Sequence, residues 1–422
     1  MMSAHPELAS HPAIPGRLAK VLPEYLARVP LYRHYPRLAP ENPVPTTAFL
    51  ESLPLITKRD IGGNFPANFL ENGADLQRLV EAGKIELEHT SGTSEARTPL
   101  LLPAGWWIRQ EARTLRLNKT VAAMLDGKTA PRRVTINSPM CSNEISYATV
   151  PSRDDRTIGN ALFLSLSRYP FLWGDKDVAR MISEAADWGP LFLDVDPVYG
   201  VVFARHCERR GIRFPSLKFI IASYSFVSLV HRNILERVFR VPVFDLYGST
   251  ETGHLMMEVE NGLMAPSPET AFLEVIRKDE CGVGDLVVTT LDNECMPLVR
   301  YQIGDLVEAF STPEGPRYRV QGRTLDTFLL ENNQRLTTLQ VDNAFAGIPG
   351  ISQYQLQERR SGTWLLRWVT DALSPTQASL HQLQTRLAEL TGARVELQQT
   401  DTLIPETSGK FRLTCPLRRA GA

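Results

Sequence analysis

Between residues 175 and 246, segments with helical spacing of apolar residues alternate with short apolar runs, and this alternation constrains the fold more than any other feature. The helical segments are 178–188, 198–210 and 229–240, and the apolar runs are 191–195, 217–222 and 241–246. A strand that is buried on both faces is apolar along its whole length, as in parallel sheets covered by helices. The alternation therefore predicts βαβ units and a parallel α/β sheet.

The rest of the chain has other patterns. From residue 255 to 320, short β-rich runs between turn residues predict an antiparallel sheet or small barrel, separate from the parallel sheet. The last hundred residues follow the order β-α-β-β-α-β, beginning with a strand at 327–330, which is typical of a ferredoxin-like unit. We therefore expect an α/β protein with two domains. The large N-terminal domain, 1–322, has parallel α/β sheets plus a small β-rich subdomain, and the C-terminal domain, 323–422, is a small ferredoxin-like α+β unit.

Composition limits the partners and the compartment. The net charge of −1 provides no long-range attraction to nucleic acid or to an anionic membrane. The five cysteines are scattered, which favours a reducing compartment, and a zinc site at Cys281 and Cys295 would have an unusual ligand spacing. The first 17 residues lack the apolar core of a secretory signal. We expect a cytoplasmic protein that binds neither nucleic acid nor membrane.

The apolar run 241–246 leads into the sequence Tyr247-Gly248-Ser249-Thr250-Glu251, which concentrates small, polar and acidic residues where a strand ends. Open α/β sheets bind ligands at the carboxyl ends of their strands. Gly248 permits close approach of the backbone, Thr250 offers a hydroxyl and Glu251 is suited to a divalent cation. The alternative is a strand followed by an ordinary polar turn.

The segment 90–99 is rich in hydroxyl groups and glycine, and it begins with Thr90, Ser91, Gly92 and Thr93. Backbone N–H groups and hydroxyls at this density suit the binding of phosphate. The segment is not a Walker A loop, because the terminal Gly-Lys-Ser/Thr is missing. The alternative is a polar loop without a ligand.

Five segments in this order and spacing resemble the adenylate-forming superfamily of acyl-CoA synthetases, peptide adenylation domains and luciferases. They are 90–99, 245–253, 300–305, 322–326 and 405–412. Within the superfamily, the short chain and the sequence Leu-Pro-Leu-Ile-Thr-Lys-Arg-Asp at 53–60 are similar to the phenylacetate-CoA ligase and aryl-acid ligase group. Any one segment alone could be an ordinary turn or loop, whereas five in register form a specific pattern.

The resemblance implies an ATP- and Mg²⁺-dependent ligase that converts a carboxylic acid to an acyl-adenylate and then transfers the acyl group to a phosphopantetheine thiol. The implied nucleotide ligands are Thr90, Ser91, Gly92 and Thr93 for the β- and γ-phosphates, Tyr247, Gly248 and Asp245 for adenine, and Asp305 and Arg323 for the ribose. The implied catalytic residues are Thr250 at the α-phosphate, Glu251 at Mg²⁺ and Lys410 between the α-phosphate and the attacking carboxylate. Leu325 and Asp326 would form the hinge about which the C-terminal domain rotates between the two half-reactions.

By the same resemblance, the acid pocket lies between segments 138–147 and 222–226 and the loop after Glu251. Its implied lining residues are Tyr147, Ser223, Tyr224, Phe226 and His254. The aromatic side chains predict a flat, aromatic acid, and the alternative is that these side chains belong to the core.

The chain also departs from the family pattern. Its phosphate loop has Glu95 and Arg97 where a lysine is usual, residues 221–226 replace a Gly-Ala-Glu-Pro segment, and Leu325 replaces the usual hinge aspartate. Asn332 and Asn333 stand where CoA ligases have the glycine of the pantetheine channel. This bulk favours the phosphopantetheine of a carrier protein, docked near Arg317, Arg319 or Arg335, slightly over free CoA.

Three alternatives remain at this point. The chain could be an aryl- or acyl-CoA ligase that uses free CoA, or an adenylate-forming enzyme that stops at the adenylate or uses an amine acceptor. It could also be a nucleotide-binding regulatory protein without turnover. The presence of both Glu251 and Lys410 argues against the last, because a binding protein needs neither.

Overall fold

The computed structural model describes residues 14–39, 44–70, 76–90, 97–139, 145, 150–331, 333–360, 362–406 and 409–417. The helices are α1 (Gly16–Arg28), α2 (Thr47–Ser52), α3 (Lys58–Gly62), α4 (Leu76–Glu81), α5 (Trp106–Leu115), α6 (Lys119–Leu125), α7 (Asp175–Trp188), α8 (Pro197–Arg209), α9 (Leu229–Phe239), α10 (Thr338–Asn343) and α11 (Gln377–Thr391). The first ten strands are β1 (Ile85–His89), β2 (Pro99–Pro103), β3 (Arg133–Ile136), β4 (Thr157–Ile158), β5 (Ala161–Phe163), β6 (Phe192–Val195), β7 (Phe219–Ala222), β8 (Val243–Ser249), β9 (Gly253–Glu260) and β10 (Leu263–Pro266). The others are β11 (Ala271–Ile276), β12 (Val283–Thr290), β13 (Tyr301–Thr312), β14 (Gly315–Arg323), β15 (Phe328–Leu329), β16 (Arg335–Leu336), β17 (Ile351–Glu358), β18 (Trp364–Thr370), β19 (Val395–Gln399) and β20 (Thr414–Cys415).

The predicted alternation of helices and strands is confirmed. Strands β3, β6, β7 and β8 are parallel neighbours, and α8 and α9 make the crossovers between β6, β7 and β8. Helices α8 and α9 pack on one face of these strands, in a cluster that includes Val195 and Ile220. Helices α5 and α6 pack on the other face, against Phe192 and Phe219. Burial on both faces explains why these strands are apolar along their length.

Strand β8 joins the parallel and antiparallel halves of one twelve-stranded sheet. Its first half pairs in parallel with β7, where Asp245 lies opposite Ala222. Its second half pairs antiparallel with β9, where Tyr247 lies opposite Met256. The β-rich part of the chain therefore continues the parallel sheet, where the pattern of turns suggested a separate sheet. The polar sequence after Leu246 lies where the strand direction changes.

The small α+β domain at the C-terminal end of the described chain is confirmed, with a different first strand. Its four-stranded sheet has the order β19-β18-β17-β20. The predicted strand at 327–330 instead forms a separate two-stranded hairpin, β15 with β16. The fourth strand of the sheet is the two-residue strand β20, which pairs in parallel with β17 and is too short to show any periodicity in the sequence.

The C-terminal domain packs on α8 and α9 through polar and apolar contacts. The Leu229 N–H, at the start of α9, donates a hydrogen bond of 2.8 Å to Asp342, which is only 1% exposed. Tyr354 donates to the other oxygen of Asp342 at 2.8 Å, and burial raises the pKa of Asp342 to about 7. Arg237 and Asp371 form an ion pair of 2.6 Å nearby. In the described ranges, no helix is both long and apolar enough to cross a bilayer.

Candidate active site

Three predicted nucleotide residues meet on strands β8, β13 and β14 of the large sheet, although β9 and β10 lie between β8 and β14 in the strand order. Tyr247 on β8 donates a hydrogen bond of 2.6 Å to Oδ2 of Asp305 on β13. Asp305 lies opposite Arg323 in the β13–β14 ladder, and Arg323 Nε lies 3.5 Å from Asp305 Oδ1. This Oδ1 is buried and accepts no hydrogen bond from the described residues. Burial raises the pKa of Asp305, and Arg323 and Tyr247 oppose the shift. The cluster thus presents an acceptor oxygen beside a guanidinium.

Glu251 lies close to this cluster and is only 7% exposed. The Tyr301 hydroxyl donates to Glu251 Oε1 at 3.3 Å, and Lys58 Nζ lies 3.5 Å from the same oxygen. The sequence reasoning gave Lys58 no role, although the segment 53–60 that contains it was singled out for its resemblance to known ligases. A contact between residues so far apart in the chain leaves no signal in local spacing.

A tight turn between β8 and β9 presents Thr250 and Glu251. Ser249 and Thr252 are joined by a hydroxyl–hydroxyl bond of 2.9 Å and a backbone bond of 3.2 Å. A Cβ on Gly248 would collide with the carbonyl group of Gly253, so only glycine fits there. The turn therefore holds Thr250, the predicted contact of the α-phosphate, next to Glu251, the predicted metal ligand.

Asp245 lies two residues before Tyr247 on β8. Its backbone N–H donates to Glu258 at 2.9 Å, and Glu258 pairs with Arg232 at 2.6 Å. Burial and the charge of Glu258 raise the pKa of Asp245 to about 7, against the opposing charge of Arg232. A carboxyl group with this pKa is neutral for part of the time near neutral pH, so it can donate as well as accept a hydrogen bond.

Lys410 reaches the large domain on a tight loop of the C-terminal domain. Within the loop, Glu406 N–H donates to Lys410 O and Gly409 N–H donates to Glu406 O, both at 2.8 Å. A Cβ on Gly409 would lie 2.5 Å from Ser138 Oγ and 2.8 Å from the Tyr199 hydroxyl, so the loop sits directly on the large domain.

The charge of Lys410 acts on carboxyl groups of the large domain. Burial raises the pKa of Asp196 to about 6 and also raises that of Asp305, and Lys410 opposes both shifts. Asp196 caps the N-terminus of α8, accepting from Val198 N–H at 3.0 Å. The predicted catalytic lysine and the predicted ribose ligand are therefore electrostatic neighbours, although they come from different domains.

The predicted hinge contacts the same loop. Leu325 and Asp326 form a short 3-10 turn with Thr324, and the Leu325 side chain is 78% exposed. Arg412, two residues after Lys410, pairs with Asp326 Oδ1 at 2.6 Å and donates to the Leu325 carbonyl at 3.0 Å. Arg412 thus joins the lysine loop to the predicted hinge residues.

Three of the predicted acid-pocket residues surround a buried carboxyl group that the sequence reasoning missed. Ser223 and Tyr224 donate to Asp194 at 3.0 and 2.7 Å, and Tyr224 has φ of 70°. Burial lowers the pKa of His254 to about 4, and Asp194 opposes the shift. The sequence does contain a sign of this carboxyl group, because Asp194 is a charged residue inside the apolar run 191–195. Phe226 packs instead against the central core.

The base of the predicted phosphate loop is described, and its tip is not. Thr90 N–H donates to Thr98 O at 3.0 Å, and Thr98 N–H donates to Thr90 Oγ1 at 3.1 Å. Both threonines are buried. The predicted residues Ser91, Gly92, Thr93, Tyr147 and Asn332 lie outside the described residues.

The acidic groups at the site suit Mg²⁺ only when it arrives with a nucleotide. Across the described ranges, no group of three or more His, Cys, Asp or Glu side chains has a metal-binding arrangement, and this includes the surroundings of Cys281 and Cys295. Mg²⁺ in nucleotide sites is commonly bound by one or two carboxylates together with substrate phosphates. Glu251, a nearly buried carboxyl group in an otherwise polar turn, fits that requirement.

No model of a protein family matches the chain. The phenylacetate-coenzyme A ligase of Thermus thermophilus is 26% identical over 309 residues, which are 62% of this chain and 67% of that protein. A 2-hydroxyisobutyryl-CoA ligase in the post-adenylation state superposes with a TM-score of 0.68 at 16% identity, covering 96% of this chain and 88% of that one. An anthranilate CoA ligase with anthranoyl-AMP superposes with a TM-score of 0.55 at 12% identity, covering 78% and 65%.

The comparison also distinguishes domain arrangements. In its thioesterification state, the same 2-hydroxyisobutyryl-CoA ligase superposes with a TM-score of only 0.55, at similar coverage of 95% and 88%. The structure of this chain therefore superposes better on the post-adenylation form of that enzyme than on its thioesterification form. With the order of the motifs and the shared fold, the resemblance to the adenylate-forming superfamily is confirmed: the chain has the fold of adenylate-forming CoA ligases and is similar in sequence to a phenylacetate-CoA ligase.

Proposed function

We propose that the protein is an AMP-forming acid–thiol ligase, which activates a small carboxylic acid with ATP and transfers the acyl group to the thiol of CoA. The observation that carries the proposal is the approach of the Lys410 loop to the large domain, where Gly409 lies against Ser138 and Tyr199 and the charge of Lys410 acts on Asp305 of the Tyr247–Asp305–Arg323 cluster. A cation is delivered by one domain to a nucleotide-type cluster on the other. Adenylation requires this arrangement, because the carboxylate and the α-phosphate are both anions and must be brought together.

Each described residue has a distinct task in the proposed reaction. The hydrogen bond from the Tyr247 hydroxyl to Asp305 fixes the Tyr247 ring for stacking on adenine. Asp245 lies nearby on the same strand and contacts adenine as well. Asp305 Oδ1 accepts a hydrogen bond from a ribose hydroxyl, and the Arg323 guanidinium lies beside this oxygen. When bound between Glu251 and the phosphates, Mg²⁺ would withdraw negative charge from the reacting phosphoryl group.

Lys410 and Thr250 act at the reacting centre itself. The lysine's ammonium offsets the negative charge that increases on the α-phosphate as the carboxylate oxygen forms its bond to phosphorus and pyrophosphate leaves. Thr250 offers a hydroxyl donor from the rigid turn at the end of β8. Both groups contribute most when they are already in place, because no reorganisation is then needed during the reaction.

Free CoA is the proposed acceptor, in place of the carrier protein that the sequence slightly favoured. The compared enzymes are named for CoA. Arg335, one of the arginines suggested for carrier docking, is engaged within the protein, donating to the Val283 carbonyl at 2.7 Å and pairing with Asp279 at 3.2 Å. Arg319 lies over the Phe310 ring at 4.9 Å. A carrier protein would find few free arginines at this surface.

For the acid, we retain the proposal of a small aromatic substrate. Tyr224, His254 and the neighbouring Trp107, whose ring meets that of His254 edge-on at 5.1 Å, provide flat surfaces. Asp194 and Ser223 provide a polar wall. We also propose that the domain boundary lies between residues 322 and 323, and that the C-terminal domain rotates about Leu325 and Asp326 for thioester formation.

ATP–pyrophosphate exchange with a panel of aromatic and aliphatic acids tests the activity. Exchange with one or more acids, followed by thioester formation with CoA, is the expected result. A parallel reaction with a phosphopantetheinylated carrier protein at equal thiol concentration tests the acceptor, and faster transfer to the carrier would identify a carrier protein as the acceptor. Tight ATP binding without exchange for any acid would instead favour the regulatory alternative.

A further inference from the structure

The phosphate loop lacks the positive charge that its proposed ligand needs. Segment 90–99 has one acidic residue, Glu95, and one basic residue, Arg97, so its net charge is zero. A triphosphate carries several negative charges, and their binding in proteins depends on cationic groups as well as on backbone N–H groups. A cation from elsewhere in the chain is therefore expected near the β- and γ-phosphates.

Lys58 is placed to supply this cation. Its Nζ lies 3.5 Å from Oε1 of Glu251, the residue proposed to meet Mg²⁺ and the phosphates. The Lys58 side chain is 38% exposed and that of Glu251 is 10% exposed, so the ammonium lies on the open side of the carboxylate. A phosphate brought to Glu251 by a shared metal would lie beside this ammonium.

The backbone before Lys58 is fixed to the strand that carries other site residues. Ile56 N–H donates to Arg300 O at 3.1 Å, and Gln302 N–H donates to Ile56 O at 2.9 Å. The buried Arg300 guanidinium donates to the Leu53 carbonyl at 2.6 Å. These bonds hold the segment along the start of β13, which contains Tyr301 and Asp305. The position of Lys58 therefore depends on the large domain alone.

A purely structural role for the Lys58–Glu251 pair explains less. A partly exposed ion pair contributes little to stability, and Glu251 is already held by the hydroxyl of Tyr301. We propose that Lys58 binds the β- and γ-phosphates of ATP beside Glu251 and supplies positive charge to a phosphate loop whose own net charge is zero. This inference rests on the proposed function, since it assumes that ATP is the nucleotide.

The test compares nucleotides that differ only in the β- and γ-phosphates. Isothermal titration calorimetry would measure the dissociation constants of ATP and AMP in EDTA and, separately, in excess Mg²⁺. For Lys58→Met, we expect ATP binding to weaken by about tenfold or more, since one charge-assisted bond is lost, and AMP binding to stay within about twofold. Lys58→Arg should recover most of the ATP affinity. The control Arg59→Met, which removes an exposed cation one residue along, should match the wild type.

The outcomes separate this inference from the function on which it rests. Equal weakening of ATP and AMP binding by Lys58→Met would mean that Lys58 only supports the fold, and unchanged ATP binding would remove it from the site. Either result overturns the inference while the wild type still binds ATP and catalyses exchange. A wild-type protein that binds neither nucleotide would overturn the proposed function, and this inference with it.

Discussion

The two sides of the candidate site are held in different ways. On the large domain, Tyr247, Asp305 and Arg323 lie on β8, β13 and β14, whose positions are fixed by backbone ladders within one sheet. On the C-terminal domain, Lys410 lies on a loop that meets the large domain through Gly409 and meets the hinge through Arg412. Moving the first group would break the sheet itself, whereas moving the lysine side breaks packing between domains, including the contacts of the C-terminal domain with α8 and α9.

This difference separates two kinds of catalytic contribution. Groups on the sheet are preorganised for binding in every state of the protein. In the proposed reaction the C-terminal domain rotates between the half-reactions, so that Lys410 contributes to adenylation alone. Variants on the lysine side should therefore affect one half-reaction, and variants on the sheet should affect nucleotide binding in both.

The largest effect is expected for Lys410→Ala. Loss of a charge at the reacting centre should lower the rate of adenylate formation by about 10²- to 10³-fold. Thioester formation from a supplied acyl-adenylate should remain largely unchanged, because the lysine then lies away from the site. Single-turnover rates of the two half-reactions make the measurement. Equal losses in both would show that Lys410 supports the structure, and would end the distinction between the two sides.

Gly409→Ala tests how closely the lysine loop must approach the large domain. The added Cβ would meet Ser138 and Tyr199 at 2.5 and 2.8 Å, and overpacking of this kind costs about 1–3 kcal/mol, or about 5- to 150-fold in docking. The matched control is Gly392→Ala, where φ is also positive but no atom lies within 4 Å of the added Cβ. Adenylation should fall for Gly409→Ala well beyond the control. Similar losses for both variants would point to backbone strain and not to docking.

The Arg412–Asp326 pair should favour the adenylation arrangement by a coupling free energy of about 0.5–3 kcal/mol. Arg412→Met and Asp326→Asn should each slow adenylation and leave thioester formation unchanged or faster. The double variant should be little slower than either single variant, because both remove the same contact. Additive losses in this double-mutant cycle would mean that the two residues act separately and that the hinge is not held by Arg412.

The smallest effect concerns Asp245 and belongs to the sheet side alone. Burial and Glu258 raise the pKa of Asp245 to about 7, so folding favours its neutral form. Its stabilising contribution is complete below the ordinary pKa near 4 and is lost as the pH rises through 7. Asp245→Asn removes this loss. The free energy of unfolding of the variant, relative to that of the wild type, should therefore rise by about 1–2 kcal/mol as the pH is raised from 5.5 to 8. Urea unfolding at both pH values measures it, and a difference that does not change with pH would contradict the assignment.

The sequence predicted the strands of the site better than the contacts between them. The run from Val243 to Leu246 and the polar turn after it were readable because burial and ligand binding demand different residue types along one short stretch. The proximity of Lys58 to Glu251 was not readable, because it depends on how residue 56 pairs with β13 across the chain. The strand at 327–330 is predicted in the wrong sheet for the same reason, because its pairing partner β16 has two residues and gives no strand pattern in the sequence.

The pair of hydrogen bonds between Thr90 and Thr98 has a consequence for protein engineering. Two hydrogen bonds join Thr90 to Thr98 at the base of the segment. The β1–β2 hairpin is therefore closed at Thr90 and Thr98, whatever the length of the segment that connects these two residues. Because the entropic cost of closing a loop grows slowly, by about 0.6 kcal/mol for each doubling of its length, a longer insert would be tolerated at this point. The Thr90–Thr98 pair therefore marks a place where we expect segments of other lengths to be exchangeable while the β1–β2 hairpin is kept.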